Sequence, residues 1–435
     1  MIEPPDVERL KDINDMEVDQ LPDFAMATRE WDQPTIEDIE AAARAAIDDI
    51  GHLDSFSPGD SIAITAGSRG IHDLPELISN VVSILQEREL EPYIIPAMGS
   101  HGGASAEGQL DMLRSLGITE DSMGCEIRSS LNVTQVGTNK HGQPVYAADD
   151  ALDADGVILA NRVKAHTDFE GDIESGLCKI AVIGVGKQRG ADTAHNAALL
   201  DTFRNVLPEH AQILFDETPI IGGIGLIENA HHRAAEIHGL PVEEIIDGEP
   251  ELLERSKELL PTLPFDEIDL LIVDEQGKNI SGSGMDTNVI GRLMIHGEPE
   301  YETPSITRIH VRSVTEESHH NAVGLGLADF AHENLVRDTN LTDTYINTIT
   351  GGEPARGRIP AVMPTDEAAL LCAFSTCGVT DPSEMRVVRI KNTMEPGRMQ
   401  ISEPLFDQIA DYENIELGER HRLELVDDDL TEVFE

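Results

Sequence analysis

The sequence predicts an α/β protein of two lobes, each a mainly parallel sheet with flanking helices, and an active site in the cleft between them. Three observations predict it. At 435 residues the chain is too long for one ordinary core and fits two domains of roughly 150–250 residues each. Short unbroken apolar runs, such as Gly156-Val157-Ile158-Leu159-Ala160, alternate with segments of helical period, as buried parallel strands alternate with their crossovers. Several of these runs end in glycine-bearing loops that carry polar groups, the place where open α/β sheets gather chemistry. The lobes divide at residues 1–262 and 263–435, with Pro261-Thr262-Leu263-Pro264 as linker.

Residues 1–30 are acidic and proline-containing and read as an arm or edge element. Over 35–49, Ile36, Ile39, Ala43 and Ile47 fall at helical spacing behind Thr35 as N-cap, with Asp38 three residues on. A strand over 60–65 runs into Ala66-Gly67-Ser68-Arg69-Gly70, and a helix follows over 74–88. That join suits an anion: glycine-relieved amides, a helix start, and an Arg69 guanidinium able to grip a carboxylate or phosphate with two bonds. A second unit repeats the plan, with a strand over 92–98, His101 in the turn Gly99-Ser100-His101-Gly102-Gly103, and a helix over 105–116. In a parallel sheet, strands ending at Thr65, Met98 and Ala160 bring Arg69, His101 and His166 to one edge. Further on, 212–216 and 222–226 read as a hairpin-type strand pair. His231 and His232 read as surface, because neighbours on a regular element cannot both face one site. In the second lobe a strand over 268–273 feeds a glycine-rich loop over 274–286 that holds Gln276 and Lys278. Lacking G-K-[ST], it is no phosphate-binding P-loop. Strands over 307–311 and 385–390 and a helix over 321–327 complete this lobe, with His319 and His320 on its surface.

The formal charge of −51, from 82 acidic against 31 basic residues, excludes an electrostatic nucleic-acid binder. With 40% hydrophobic residues the chain does not have the composition of disorder. Acid spread this evenly suits a halophile's salt-accumulating cytoplasm, where screening shortens the Debye length to about 3 Å. No apolar run approaches a membrane span and the first residues are no signal peptide, so a cytoplasmic protein is expected. Cys125, Cys178, Cys372 and Cys377 form no C-x-x-C pair and read as free thiols.

The chemistry concentrates between Ala160 and Asn196. Lys179 follows Ser175-Gly176-Leu177-Cys178 and precedes the apolar Ile180-Ala181-Val182-Ile183-Gly184, surroundings that lower an amine's pKa and make it a better nucleophile; an ordinary solvated lysine is the alternative. His166 before it and His195 after it add two imidazoles, suited to acid/base work or metal ligation.

By the order His101, His166, Ser175-Gly176 through Lys179 to Gly184, then His195, the sequence resembles the nickel-pincer-dependent lactate racemase superfamily. The interval from Lys179 to His195 agrees with that pattern, while the interval from His166 to Lys179 is a few residues longer, and the Asp168-Phe169-Glu170-Gly171-Asp172-Ile173-Glu174-Ser175-Gly176 insert suggests a distinct branch. Thr65-Ala66 stand where lactate-active members carry an acidic residue. The resemblance implies a racemase or epimerase of a 2-hydroxy acid. Lys179 would carry a covalently held nickel-pincer nucleotide and His195 would ligate the nickel. His101 and His166 would exchange the hydroxyl proton on opposite faces as hydride leaves and returns to carbon. Arg69, Gln276 and Lys278 would contact the substrate. Expected partners are the 2-hydroxy acid, the proteins that build the cofactor and, as an open choice, further copies of the chain; no nucleic acid and no membrane is expected. Two other readings stand beside this one: a zinc-dependent hydrolase or lyase with His101, His166 and His195 as ligands, and a non-catalytic protein that binds a nucleotide or small acid.

Overall fold

The computed structural model describes residues 5–13, 16–68, 70–410 and 412–434. The chain divides into two compact units, residues 33–260 and residues 1–32 with 261–435. The first 32 residues, assigned from sequence to the first lobe, therefore belong with the second. Strand β1 (Phe24–Arg29) is the cause: it pairs antiparallel with residues of 398–402 on one side and 415–417 on the other, and the amides of Phe24 and Arg29 reach the carbonyls of His421 and Gly397 of the same unit.

In the unit 33–260, helix α1 (Ile39–Ile50) precedes β2 (Ser61–Ala66), helix α2 (Leu74–Glu87) and β3 (Glu91–Pro96). Helix α3 (Ala106–Ser115), the short β4 (Glu126–Ile127) and an antiparallel pair of β5 (Val133–Thr138) with β6 (Pro144–Ala148) follow. Next come β7 (Gly156–Arg162), a helical turn Leu177–Lys179, a π-helical stretch Ile180–Val185 and helix α4 (Lys187–Glu217). Strands β8 (Ile220–Glu228) and β9 (Ala234–Pro241) and helix α5 (Ile245–Leu259) close the unit. The sheet order is β4-β3-β2-β7-β8-β9, parallel except for the β8–β9 pair. Alternate residues of the central strands face opposite layers. Ile62, Ile64, Ile158 and Ala160 pack with α1 and α2, while Ala63, Val157 and Leu159 pack with Leu177, Val182 and Leu214 from the 177–217 run. Both faces are covered, which is why these strands read as unbroken apolar runs.

The other unit holds β10 (Glu267–Gln276), β11 (Ser305–Val314), β12 (Phe330–His332), β13 (Ala361–Met363), helix α6 (Asp366–Cys377), β14 (Val387–Ile390), β15 (Arg398–Ser402) and β16 (Ile415–Leu417). Its sheet runs β13-β12-β11-β10-β14-β15-β1-β16, with the five strands from β13 to β14 parallel and the rest antiparallel. Leu270 and Ile272 pack with Ala368 and Leu371 of α6; Leu271 and Val273 face the other layer with Val311 and Leu325.

Three local expectations change. The cap of α1 is Asp38, whose side chain accepts the Ala41 N–H at 2.9 Å, while Thr35 Oγ1 meets Asn229 Nδ2 at 2.9 Å instead. Residues 212–216 are helical, because Leu207, Ala211, Leu214 and Phe215 share one buried face of α4; the hairpin is β8 with β9, turning at Ala230-His231-His232-Arg233. Over 321–327 only the 3₁₀ turn Leu325–Leu327 forms, behind a left-handed Gly324. Among the described residues no helix is long and apolar enough to cross a membrane.

Candidate active site

Strands β2, β3 and β7 are parallel neighbours, so the residues beyond their carboxyl ends share one sheet edge. After β2 comes Ser68, whose Oγ makes a short hydrogen bond with Nδ1 of His101 in the turn after β3. That turn is held from beneath. Lys187, 1% exposed, donates from Nζ to the Pro96 carbonyl at 2.5 Å and to Gln109 Oε1 at 3.5 Å, and Gln109 Nε2 donates to the Gly99 carbonyl at 3.0 Å. Burial brings the Lys187 pKa down to about 8. At Gly99, φ is +59° and a Cβ would meet the Ile183 carbonyl oxygen at 3.2 Å, so glycine lets the turn press on the π-helical stretch.

Beyond β7 the chain makes an excursion that an antiparallel bridge closes, with Lys164 N–H to Ser175 O at 2.9 Å and Ser175 N–H to Lys164 O at 3.2 Å. Buried Glu174 organises its interior. The carboxylate accepts the His166 N–H at 2.5 Å and the Gly171 N–H at 3.2 Å and pairs with Lys257 at 3.2 Å. His166 follows the bridge with 14% of its side chain exposed, and its Nδ1 accepts the Asp168 N–H at 3.0 Å. Immediately after the bridge, Asn161 Nδ2 donates to the Gly176 carbonyl at 2.8 Å, tying the end of β7 to the turn that bears Lys179. Lys179 is half-buried and its Nζ lies 3.4 Å from Ser175 Oγ.

His195, on the first part of α4, is joined to His166 by aromatic contacts. The His166 ring stacks on Phe169 at 4.6 Å, Phe169 on Phe203 at 5.3 Å, and His195 meets Phe203 edge-on at 4.9 Å. Phe203 reaches this position because α4 breaks at Asp201 and Thr202, the latter at φ +54°. His195 as a residue is open to solvent, yet its ring is crowded. That crowding first, and the Lys179 charge second, hold its pKa below the ordinary imidazole range against Asp168 and Asp192. His166, Lys179 and His195 thus share one neighbourhood, and His101 lies on the same edge against Ser68. Arg69 falls outside the described residues.

Ser68, Phe169, Phe203, Glu174 and Lys187 escape sequence reasoning. A phenylalanine pair among a composition of 4% aromatics is a faint signal at best; a buried Lys187 has none. Cys178 is buried, and its thiol is pushed well above the ordinary range by that burial and by Glu249.

In the other unit, Gln276 ends β10 with no exposure, and neither of its amide atoms has a hydrogen-bond partner. Lys278 reaches Asn347 Oδ1 on the helix Leu341–Thr350. His319 is exposed and His320 half-buried, and the two take consecutive left-handed conformations, at φ +53° and +59°. Among the described residues one group of possible ligands, His332, Asp366 and Asp429, has its atoms within 4.8 Å of one another. They are already spoken for. Asp366 is bonded by His310, Arg312 and the Leu430 N–H, while His332 accepts the Asn334 N–H on Nδ1 and so directs its Nε2–H to Asp429. Among the described residues His101, His166 and His195 do not form such a group.

No protein-family model matches the chain, and no curated protein matches it. Among solved structures it is similar to the lactate racemase apoprotein from Thermoanaerobacterium thermosaccharolyticum, with a TM-score of 0.51 and 11% identity over 86% of this chain and 99% of that one. The likeness is one of fold.

Proposed function

We propose that the chain is a racemase or epimerase of a small 2-hydroxy acid. In this reading Lys179 holds a nickel-pincer nucleotide and His195 ligates its nickel. The observation that carries it is the shared neighbourhood of His166, Lys179 and His195, built on a fold similar to that of a lactate racemase apoprotein. The residues suit the group: a half-buried amine at the start of a helical run, and an imidazole kept neutral, the form that binds a metal. When bound, the group supplies the hydride acceptor.

The chain's own part is proton handling. Because Nδ1 of His166 accepts the Asp168 N–H, its neutral ring carries the proton on Nε2 and is set to donate. His101 differs. The Ser68 hydroxyl can either donate to Nδ1 or accept from it, so His101 can hold its proton on either nitrogen and serve as base or acid. His101 would take a hydroxyl proton most readily, and His166 would return one to the carbonyl oxygen. Gln276, Lys278 and Arg69 keep the proposed role of substrate contacts. A salt-rich cytoplasm is the proposed setting.

The test is expression with the cofactor-building proteins, followed by intact mass, metal content and racemisation of a panel of 2-hydroxy acids. An adduct on Lys179 with stoichiometric nickel, lost in Lys179→Ala, is expected. A zinc-containing chain with no adduct would overturn the reading.

A further inference from the structure

The proposed chemistry makes no use of Glu249, on helix α5. It is 1% exposed, and its Oε2 accepts the Cys178 N–H at 2.8 Å. The Leu177 amide and the Cys178 thiol also favour its charge, while Oε1 has no hydrogen-bond partner. Gly176 makes this approach possible: a Cβ there would stand 2.7 Å from Glu249 Cδ and closer still to Oε1, so the carboxyl fills the space that any other side chain would need. No side chain of the local sequence caps the run that begins at Leu177. Glu249 caps it from another helix, satisfying the orphan amide of the residue just before Lys179.

We propose that Glu249 is the positioning residue for Lys179, holding the Leu177–Lys179 turn in the pose from which the amine projects. This rests on the reading of Lys179 as the attachment site. The charge logic follows from what faces Glu249. From the 177–179 turn come two amides and the Cys178 thiol, which stays protonated; on its own helix Arg255 is committed to Glu236 and Glu258, and Lys257 to Glu174 and Glu254. With no cation to offset it, burial raises the Glu249 pKa to about 7. The folded turn therefore favours the neutral carboxyl, and ionisation works against the closed pose.

The test uses the full, unloaded chain, so it stands apart from cofactor chemistry. Amide hydrogen exchange over 177–179, corrected for intrinsic rate, is measured at pH 6 and pH 8, together with the rate at which an amine-acylating reagent labels Lys179. In the parent chain, protection of the Cys178 amide is expected to fall about threefold or more from pH 6 to pH 8, because ionisation of the buried carboxyl favours the opened turn. Glu249→Gln should keep the fold and the bond but lose that pH dependence. Glu249→Ala should lose protection by about fivefold or more at both pH values and change Lys179 labelling. Unchanged local exchange in a folded Glu249→Ala, or a pH dependence that persists in Glu249→Gln, overturns the proposal. If Glu249→Ala does not fold, the Gln variant decides alone. Absence of a Lys179 adduct on co-expression would instead strike the attachment reading and leave the exchange result standing.

Discussion

Replacing Gly176 by alanine is the sharpest test of the packing around the candidate attachment lysine. The new methyl would lie 2.7 Å from Glu249 Cδ and 3.3 Å from Cγ, in a region where both residues are buried. Either the turn shifts or the carboxyl withdraws. Overpacking costs about 1–3 kcal/mol, and withdrawal leaves the Cys178 amide unsatisfied at about 1–3 kcal/mol. Gly176→Ala should therefore destabilise the 33–260 unit by about 2 kcal/mol whichever way the clash is relieved. Glu249→Ala alone loses the same bond and opens a cavity, a cost of about 2 kcal/mol. In the double variant the methyl introduced by Gly176→Ala enters space the carboxyl has vacated, so the two costs should fall short of their sum by about 2 kcal/mol. The assay must report the right unit. The single tryptophan, Trp31, belongs to the other one, so unfolding in urea is followed by amide exchange of β2, β3 and β7. Costs that add within about 0.5 kcal/mol would mean that Gly176 and Glu249 do not compete for the same space, and the reasoning would fall.

Stability should also depend on pH through Glu249. Its folded pKa is raised from 4.5 to about 7, so its contribution is full below the unfolded value and is lost as pH rises through 7. The loss is about 3 kcal/mol at 1.36 kcal/mol per unit, and a Glu249→Gln profile that is no flatter between pH 4.5 and 8 would contradict it. Phe169→Ala removes the middle of the His166–Phe169–Phe203 stack; a loss of about 3 kcal/mol is expected by urea titration, with a fall in turnover of the loaded enzyme, and full activity would show that the stack does not hold His166. Arg389→Met strips Asp274 of two bonds at 2.8 Å, leaving Arg312 at 3.1 Å as its remaining guanidinium. About 3 kcal/mol should be lost from the unit that contains β10, and an unchanged exchange profile there would refute the importance of the pair. Finally, the charge of −51 predicts a melting temperature that climbs from 0.1 M to 3 M KCl as repulsion is screened; a flat response would remove the case for salt adaptation.

The strands that frame the candidate site are legible in the sequence because both their faces are buried, which turns Ile62-Ala63-Ile64 and Val157-Ile158-Leu159 into unbroken apolar runs that admit few other readings. Parallel order then follows from the helices between them, and with it the common edge for Ser68, His101 and His166. The supports of that edge are a different matter. Glu249 meets Gly176 from more than seventy positions away, Lys187 reaches back to Pro96, and Phe203 meets Phe169 only because α4 breaks at Thr202. No local period or spacing encodes such pairings. Residues 212–216 show the opposite error, a run short enough to pass for a strand when its helical partners at Leu207 and Ala211 are left out of the window.

Strand β1 has a consequence for how the chain is made. A ribosome releases Phe24–Arg29 before Arg398–Ser402, with the whole 33–260 unit between them. The earlier-made segment can join its partner only after that intervening unit has emerged, a pairing of very long sequence separation and hence slow. Any nascent product halted before residue 398 would carry an unmatched apolar strand, Phe24 and Ala25 included, free to seek a neighbour's edge. Chains halted before residue 398 are therefore expected to aggregate through Phe24–Arg29, and such a fragment starting at Gln33 should escape that fate.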